Sequence, residues 1–191
     1  MPLSCGRGRA DSRLPRCVRY APNHKLTEPW RFVCLGEGSA AELGRLVAEH
    51  IGGEKGERKR KAWAAVPSWI VALCKGQTIT ETHTANAALP SVLDYTQLED
   101  YAAVCCAIQN LTLSMHTAGV SAKWSTGGVT RKDSFRQLVG AEADEMVVGV
   151  LMCGYRRHSA PPLRPPMKRR PLLASAETEI TGQQAVLCFR P

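Results

Sequence analysis

From Tyr101 to Ile108 the chain runs through Ala102, Ala103, Val104, Cys105, Cys106 and Ala107 without a single charged side chain. Upstream, Thr96 followed by Glu99 has the form of a capping box, in which two side chains satisfy orphan backbone donors of the first turn. Downstream, Gly119 supplies the left-handed stop that ends many helices. Together these signals predict one helix over 96–116. A helix at a protein surface keeps a polar stripe. One that lacks it for more than two turns is buried on all sides or packed against another subunit. The core meets that demand, and the small residues would also let a second backbone approach closely in a helix-to-helix subunit contact. The other elements must be arranged around this helix. At 191 residues and 44% apolar content the chain can form one domain, burying about 70% of its unfolded surface.

Those other elements alternate between strand and helix patterns. Trp30 to Leu35 reads as a buried strand ended by Gly36. Ser39 with Glu42 forms a second capping box, opening a helix whose Leu43, Leu46, Val47 and Ile51 share a face before Gly52 and Gly53 stop it. Residues 53–62 alternate Lys, Arg and Glu, as an exposed connection or a polar helix would. Trp69, Ile70, Val71, Ala72 and Leu73 form a continuous apolar run suited to a central strand covered on both faces. Residues 76–93, with His83, read as a long loop, a substrate-side lid or a partly helical excursion. Val120 to Ser125 is a short strand entering the Gly127–Gly128 turn. Thr130 caps a helix with Phe135 and Leu138, stopped by Gly140, and 145–155 is the last strand. The order fits an α/β or α+β sheet flanked by helices. It divides the chain into a basic segment over 1–19, helical near Arg16 to Tyr20, a domain over 20–155 and a Pro/Arg-rich tail over 156–191, where Ala185 to Phe189 has the composition of a short strand.

The formal net charge of +8 is concentrated in runs near the start, around Lys55 to Lys61 and in the tail. None of these runs is interleaved with stacking aromatics, which favours solvated loops and anion attraction over nucleic acid. The eight cysteines show no metal-ligand spacing and five lie in apolar segments. Free thiols in such places suit a reducing compartment, the cytoplasm, rather than a secreted disulfide scaffold. The arginine-rich first twenty residues leave organelle targeting open. No apolar run reaches the length of a membrane span, so no membrane partner is expected.

The chemistry concentrates in Ala21-Pro22-Asn23-His24-Lys25-Leu26-Thr27-Glu28-Pro29-Trp30-Arg31-Phe32. Two prolines limit the shapes of the segment between them, and Asn23 tolerates unusual backbone angles. His24 and Lys25 are adjacent donors and Trp30 offers a flat apolar face, a set suited to a planar, anionic or electron-rich ligand. An ordinary loop entering a strand would use similar residue types.

Four stretches, in order from about Tyr20 to Tyr155, carry a resemblance to a family: this loop, Glu99-Asp100-Tyr101 through Asn110-Leu111, the turn Trp124-Ser125-Thr126-Gly127, and Val147 to Tyr155. The chain resembles the flavin-dependent nitroreductases, in their small YdjA-like branch. The resemblance implies an α+β fold with a mostly antiparallel sheet, a homodimer, and FMN in two sites at the subunit interface. It also implies NAD(P)H as reductant and nitroaromatics, quinones or similar small molecules as acceptors. By the same resemblance, His24, Tyr20, Trp124, Ser125 and Thr126 contact FMN, with Lys25 as a further donor. Ser114, Met115, His116, Thr117, Ala118 and Gly119 match the helix end that meets the nicotinamide nucleotide. No direct catalytic residue and no metal ligand is expected. Family members open with Arg-Arg-Ser-x-Arg, which anchors the FMN phosphate. Here only Arg7-Gly8-Arg9 and Ser12-Arg13 stand before Ala21, with Arg164 resembling a late phosphate-side arginine. The shortened start predicts weak FMN retention and keeps a second reading open, a nitroreductase-like binding or structural protein with impaired turnover.

Overall fold

In the computed structural model, residues 16–76 and 95–155 are described. Four strands, β1 (Trp30–Leu35), β2 (Ser68–Cys74), β3 (Val120–Ser125) and β4 (Met146–Tyr155), form one sheet in the order β1-β2-β4-β3. Every pairing is antiparallel. The helices are α1 (Glu37–Ile51), α2 (Gly53–Ala64), α3 (Tyr95–Thr117) and α4 (Asp133–Leu138). Short 3-10 turns cover Arg16–Tyr20, His24–Leu26 and Gly128–Arg131. The expectation of an α+β sheet flanked by helices therefore holds.

The apolar run of β2 has two destinations. Ile70, Ala72 and Cys74 face a cluster containing Val104, Ala107, Ile108, Leu111 and Met115 of α3. Trp69, Val71 and Leu73 face Leu43, Leu46 and Val47 of α1, Trp63 of α2 and Phe135 of α4. Side chains alternate along a strand, so a strand buried on both faces must be apolar at every position. Full burial of one large aliphatic side chain contributes about 1.5–3 kcal/mol, and Leu43, Leu73, Ile108 and Leu111 are all at most 1% exposed. On β4 the alternation slips once. Ala72 pairs with Gly149 but Leu73 with Val147, so Val148 is an extra residue. The bulge lets Val148, Leu151 and Cys153 share one face while Val147, Val150 and Met152 share the other.

Three capping expectations are corrected. Helix α1 begins at Glu37 with Gly36 as its cap, so Ser39 lies inside the first turn. Helix α3 begins at Tyr95, which places Thr96 inside it, and Glu99 instead lies toward His24. Thr130 lies in a 3-10 turn, where its Oγ1 donates to the Gly127 carbonyl at 2.8 Å, and α4 starts after Lys132. Residues 53–62 take the polar-helix form, as part of α2. Helix α3 also departs from burial on all sides. Within Tyr101–Ile108 the inner stripe is buried, but Ala102 is exposed and Tyr101, Cys105 and Cys106 are half-buried; beyond it Tyr95, Leu98 and Leu113 are exposed, Leu113 by 55%.

The six described cysteines, Cys17, Cys34, Cys74, Cys105, Cys106 and Cys153, all belong to or pack against the α3-side core. Burial pushes the Cys153 thiol up to about 12, with Cys34 adding to the effect, so it behaves as a small core residue. No described helix is long and apolar enough to cross a membrane. The expectations for residues 76–93 beyond Gly76, including His83, and those for Ser12, Arg13, Arg164 and the strand at 185–189 lie outside the described residues.

Candidate functional site

The Ala21–Pro29 segment crosses from the Arg16–Tyr20 turn to the edge strand β1 beside the start of α3. The turn is fixed first. Val18 is buried in the α3-side core, and Asn110 of α3 donates from Nδ2 to the Cys17 carbonyl at 3.0 Å. Tyr20, at the end of this turn, is 80% exposed. At the other end the Lys75 N–H donates to the Pro29 carbonyl at 2.8 Å, tying the segment to the end of β2.

Between these fixed ends the backbone is strained. Lys25, Leu26 and Glu28 have φ of 53°, 55° and 43°, in the left-handed region that costs a non-glycine residue about 1–2 kcal/mol. Asn23, expected from its residue type to take such angles, is extended at φ −147°. It acts through its side chain instead. Its Nδ2 donates to the Ala21 carbonyl at 3.1 Å and its Oδ1 accepts the Glu28 N–H at 3.0 Å. The Thr27 N–H donates to the His24 carbonyl at 3.3 Å. One turn of α3 takes two side chains of the loop: Thr27 Oγ1 donates to Asp100 Oδ1 at 2.8 Å, and His24 Nδ1 stands 3.9 Å from Glu99 Oε2. His24 and Lys25 are left exposed on a loop whose shape is held from below.

The other predicted contact residues lie elsewhere. Trp124 and Ser125 end β3, the strand at the opposite edge of the sheet from β1, and Thr126 follows them. Trp124 pairs with Leu151 across the sheet, and its indole lies over Gly149 at the β4 bulge. A Cβ at 149 would stand 2.1 Å from Nε1 and 2.7 Å from Cδ1, so the ring occupies space that any other residue would fill. Ser114, Met115, His116 and Thr117 form the last turn of α3, and Ala118 and Gly119 close it. Met115 is buried in the core, whereas His116, Thr117, Ala118 and Gly119 are exposed. Fifteen residues separate Glu99 from Ser114 on one helix, a rise of about 22 Å. One chain thus distributes these residues over three places: the loop beside the start of α3, the end of α3, and the β3 edge.

The residues that shape the loop without being among the expected contacts are Thr27 and Asp100. Both stand in the motifs quoted above, but 73 positions apart, and nothing local in a sequence pairs a threonine with a carboxylate at that distance. Arg31 is similar. Its Nε donates to Glu145 Oε1 at 2.7 Å, a second guanidinium nitrogen bonds Glu145 Oε2, and that nitrogen also donates to the Gly140 carbonyl at 2.7 Å. Glu145 is 1% exposed. Burial alone would push its carboxyl up, but the Arg31 bonds and the Glu142 N–H outweigh it and hold it below the ordinary value. This pair ties β1 to the start of β4. Among the described residues, no three His, Cys, Asp or Glu side chains group to hold a metal.

A model of the family described as "Nitroreductase family" matches residues 12–155. The chain is 25% identical over 171 residues to a Bacillus subtilis (strain 168) protein named "Putative NAD(P)H nitroreductase YfhC", covering 85% of this chain and 78% of that protein. A solved nitroreductase-like family protein from Bacillus cereus superposes with a TM-score of 0.59 at 25% identity, over 79% of this chain and 76% of that one. A mutant of the FMN and NADPH-dependent nitroreductase NfnB from Sphigopyxis sp. strain HMH shares the fold at a TM-score of 0.60 and 13% identity, over 88% and 89% of the two chains. With the ordered motifs and the antiparallel sheet flanked by helices, a match over that span places this chain in the nitroreductase family.

Proposed function

We propose that the chain is an FMN-dependent oxidoreductase that takes electrons from NAD(P)H and passes them to nitroaromatic, quinone or related small-molecule acceptors, acting as a homodimer. The observation that carries this reading is the held loop, which leaves His24 and Lys25 exposed side by side while the backbone beneath them is fixed by Asn23, Thr27 and Asp100. Family membership and the name of the B. subtilis relative support the reaction class, and the description of NfnB supports FMN.

The donor chemistry of the described residues fits such a cofactor. Arg16, Arg19, His24 and Lys25 place four exposed cation-capable side chains within ten residues of one another, suited to an anionic ligand. Trp124, seated on Gly149, offers a flat apolar wall. FMN bound there would supply the two-electron chemistry between the nicotinamide and the acceptor. His24 and Lys25 would donate to the polar edge of the ring and favour its reduced, anionic form. Tyr20, Ser125 and Thr126 would add contacts, and the end of α3 from Ser114 to Gly119, exposed from His116 onward, would meet the nicotinamide nucleotide. These groups stand in three places on one chain, so the reading requires two chains to complete each site.

The test is an absorbance spectrum of the purified chain after incubation with FMN and removal of the excess, followed by NAD(P)H oxidation with a nitroaromatic and with a quinone. A retained flavin spectrum with acceptor-dependent oxidation is expected. A chain that stays colourless overturns the reading, and flavin retained without NAD(P)H oxidation points to a family member with impaired turnover.

A further inference from the structure

We propose that Asp100 is a positioning residue for this loop: through Thr27 it holds the segment in which Lys25, Leu26 and Glu28 are left-handed, and so sets where His24 and Lys25 stand. The functional half of the proposal rests on the flavin reading above; the structural half does not.

The loop does not hold its shape by residue type. Lys25, Leu26 and Glu28 are all left-handed and none is glycine, so an unrestrained segment would relax toward commoner backbone angles. Leu26 adds no inward pull, being 82% exposed. The bonds from Asn23 and the Thr27 N–H close the loop on itself but do not fix it to the rest of the molecule. Among the described residues, two side-chain links reach outside it. The His24–Glu99 approach is long, at 3.9 Å, and both side chains are at least half exposed, where such pairs contribute little. The Thr27–Asp100 bond is short, at 2.8 Å, and its acceptor is 9% exposed.

Asp100 is itself well placed to serve as an anchor. It follows Glu99 on α3, just before the stripe of Ala103, Val104, Ala107 and Ile108 that roots the helix in the core. Nearby, Gln97 Nε2 donates to the Gly76 carbonyl at 3.4 Å, and a Cβ on Gly76 would lie 3.8 Å from Asp100 Oδ2. The carboxylate thus stands where the loop, the end of β2 and the start of α3 meet. With Asp100 Oδ1 as acceptor, the Thr27 hydroxyl is the donor of this bond, which holds its rotamer. Thr27 in turn fixes the backbone immediately after Lys25 and Leu26, while Ala21 and Asn23 fix it before His24.

The test compares full-length wild type with Thr27→Val, Thr27→Ser, Asp100→Asn and the double variant Thr27→Val/Asp100→Asn. Amide hydrogen exchange at residues 24–28 reads the loop without any ligand. It is expected to rise at least tenfold in Thr27→Val, to stay near wild type in Thr27→Ser, and to rise no further when Asp100→Asn is added to Thr27→Val. FMN titration reads the consequence. The dissociation constant is expected to rise about tenfold in Thr27→Val, with recovery in Thr27→Ser and with little change in melting temperature, the split that a general loss of stability would not produce. Unchanged exchange over 24–28 in Thr27→Val overturns the proposal, as do losses from Thr27→Val and Asp100→Asn that simply add. Wild type that fails to bind FMN sinks the flavin reading instead, and the exchange comparison still decides the anchoring role.

Discussion

At the scale of single residues, the structure rests on a few close approaches whose partners are far apart in sequence. Arg31 and Glu145 are 114 positions apart and form a two-point ion pair whose carboxylate is 1% exposed. Glu145→Gln keeps the shape but removes the charge, and should cost about 2 kcal/mol of unfolding free energy, read as a lower urea midpoint at an unchanged slope. The carboxyl is held below its ordinary value of 4.5 in the folded chain. Its contribution is therefore complete above that value and is lost as pH falls through the lower folded one. Wild type should consequently lose melting temperature more steeply than Glu145→Gln on acidification below about pH 4.5; parallel curves would remove Glu145 from the account. Gly149 is a different case: the atoms nearest its Cβ position belong to the Trp124 ring, which is 40% exposed and able to swing outward, while the backbone oxygen of Ser125 stands at 3.1 Å. Gly149→Ala should cost about 1 kcal/mol and make one tryptophan more accessible to acrylamide quenching. The quenching change should vanish when Trp124→Phe is also present. The motif around Arg31 was visible in the sequence, whereas its partner was not, since only the fold brings the start of β4 to the edge strand β1.

At the scale of elements, periodicity was more legible than boundaries. The apolar run in β2 marked a central strand because both faces had to be covered, and Leu43, Leu46 and Val47 marked the inner face of α1. The capping pairs were misleading for a physical reason: Ser39, Thr96 and Thr130 can all bond backbone groups from inside a first turn or a 3-10 turn, so residue type alone does not say which position they hold. The loop at 21–29 was recognised, but its left-handed residues were assigned to Asn23 by propensity. Asn23 is instead extended, with its side chain bonded to the Ala21 carbonyl and the Glu28 N–H. The α1–α2 pair carries a constraint of its own. Gly56 of α2 lies so close to α1 that a Cβ would stand 2.4 Å from the Ala48 carbonyl oxygen and 3.2 Å from its carbon. Alanine in place of an interior glycine normally gains about 1 kcal/mol of helix propensity. Here the obstacle is backbone, which cannot step aside, and overpacking of about 1–3 kcal/mol wins. Gly56→Ala should therefore lower the melting temperature by several degrees, and a rise would show that the two helices are less closely packed than they stand here.

At the scale of the whole molecule, the proposed homodimer would account at once for the distribution of the candidate site over three places and for the exposed apolar residues of α3. A two-fold axis crossing a helix at right angles packs it antiparallel against its copy, so that each residue meets one whose number sums with its own to a constant. Leu98 and Leu113 are the exposed leucines of α3, and their midpoint falls between Cys105 and Cys106, the half-buried centre of the same helix. Exposed Ala102 and Gln109 share that midpoint. In the proposed homodimer, an axis there would pack Leu98 on Leu113 of the second copy, and would bring the His24–Glu99 end of one chain toward the Ser114–Gly119 end of the other. Such an arrangement would supply the second copy that the proposed site requires and would cover two side chains that the single chain leaves exposed. It is tested in two steps. Leu113→Asp should convert a dimer to a monomer by sedimentation and lower FMN retention at least tenfold, while the far-ultraviolet spectrum stays that of the wild type. A short bismaleimide should join two wild-type chains through the 105–106 region. Burial pushes the Cys105 thiol up, so coupling needs mildly alkaline buffer, and the cross-linked dimer should be lost in Cys105→Ser/Cys106→Ser but kept in Cys17→Ser/Cys34→Ser. Cross-linking that survives the first pair of substitutions and fails with the second would move the axis off α3, leaving its exposed leucines without this partner.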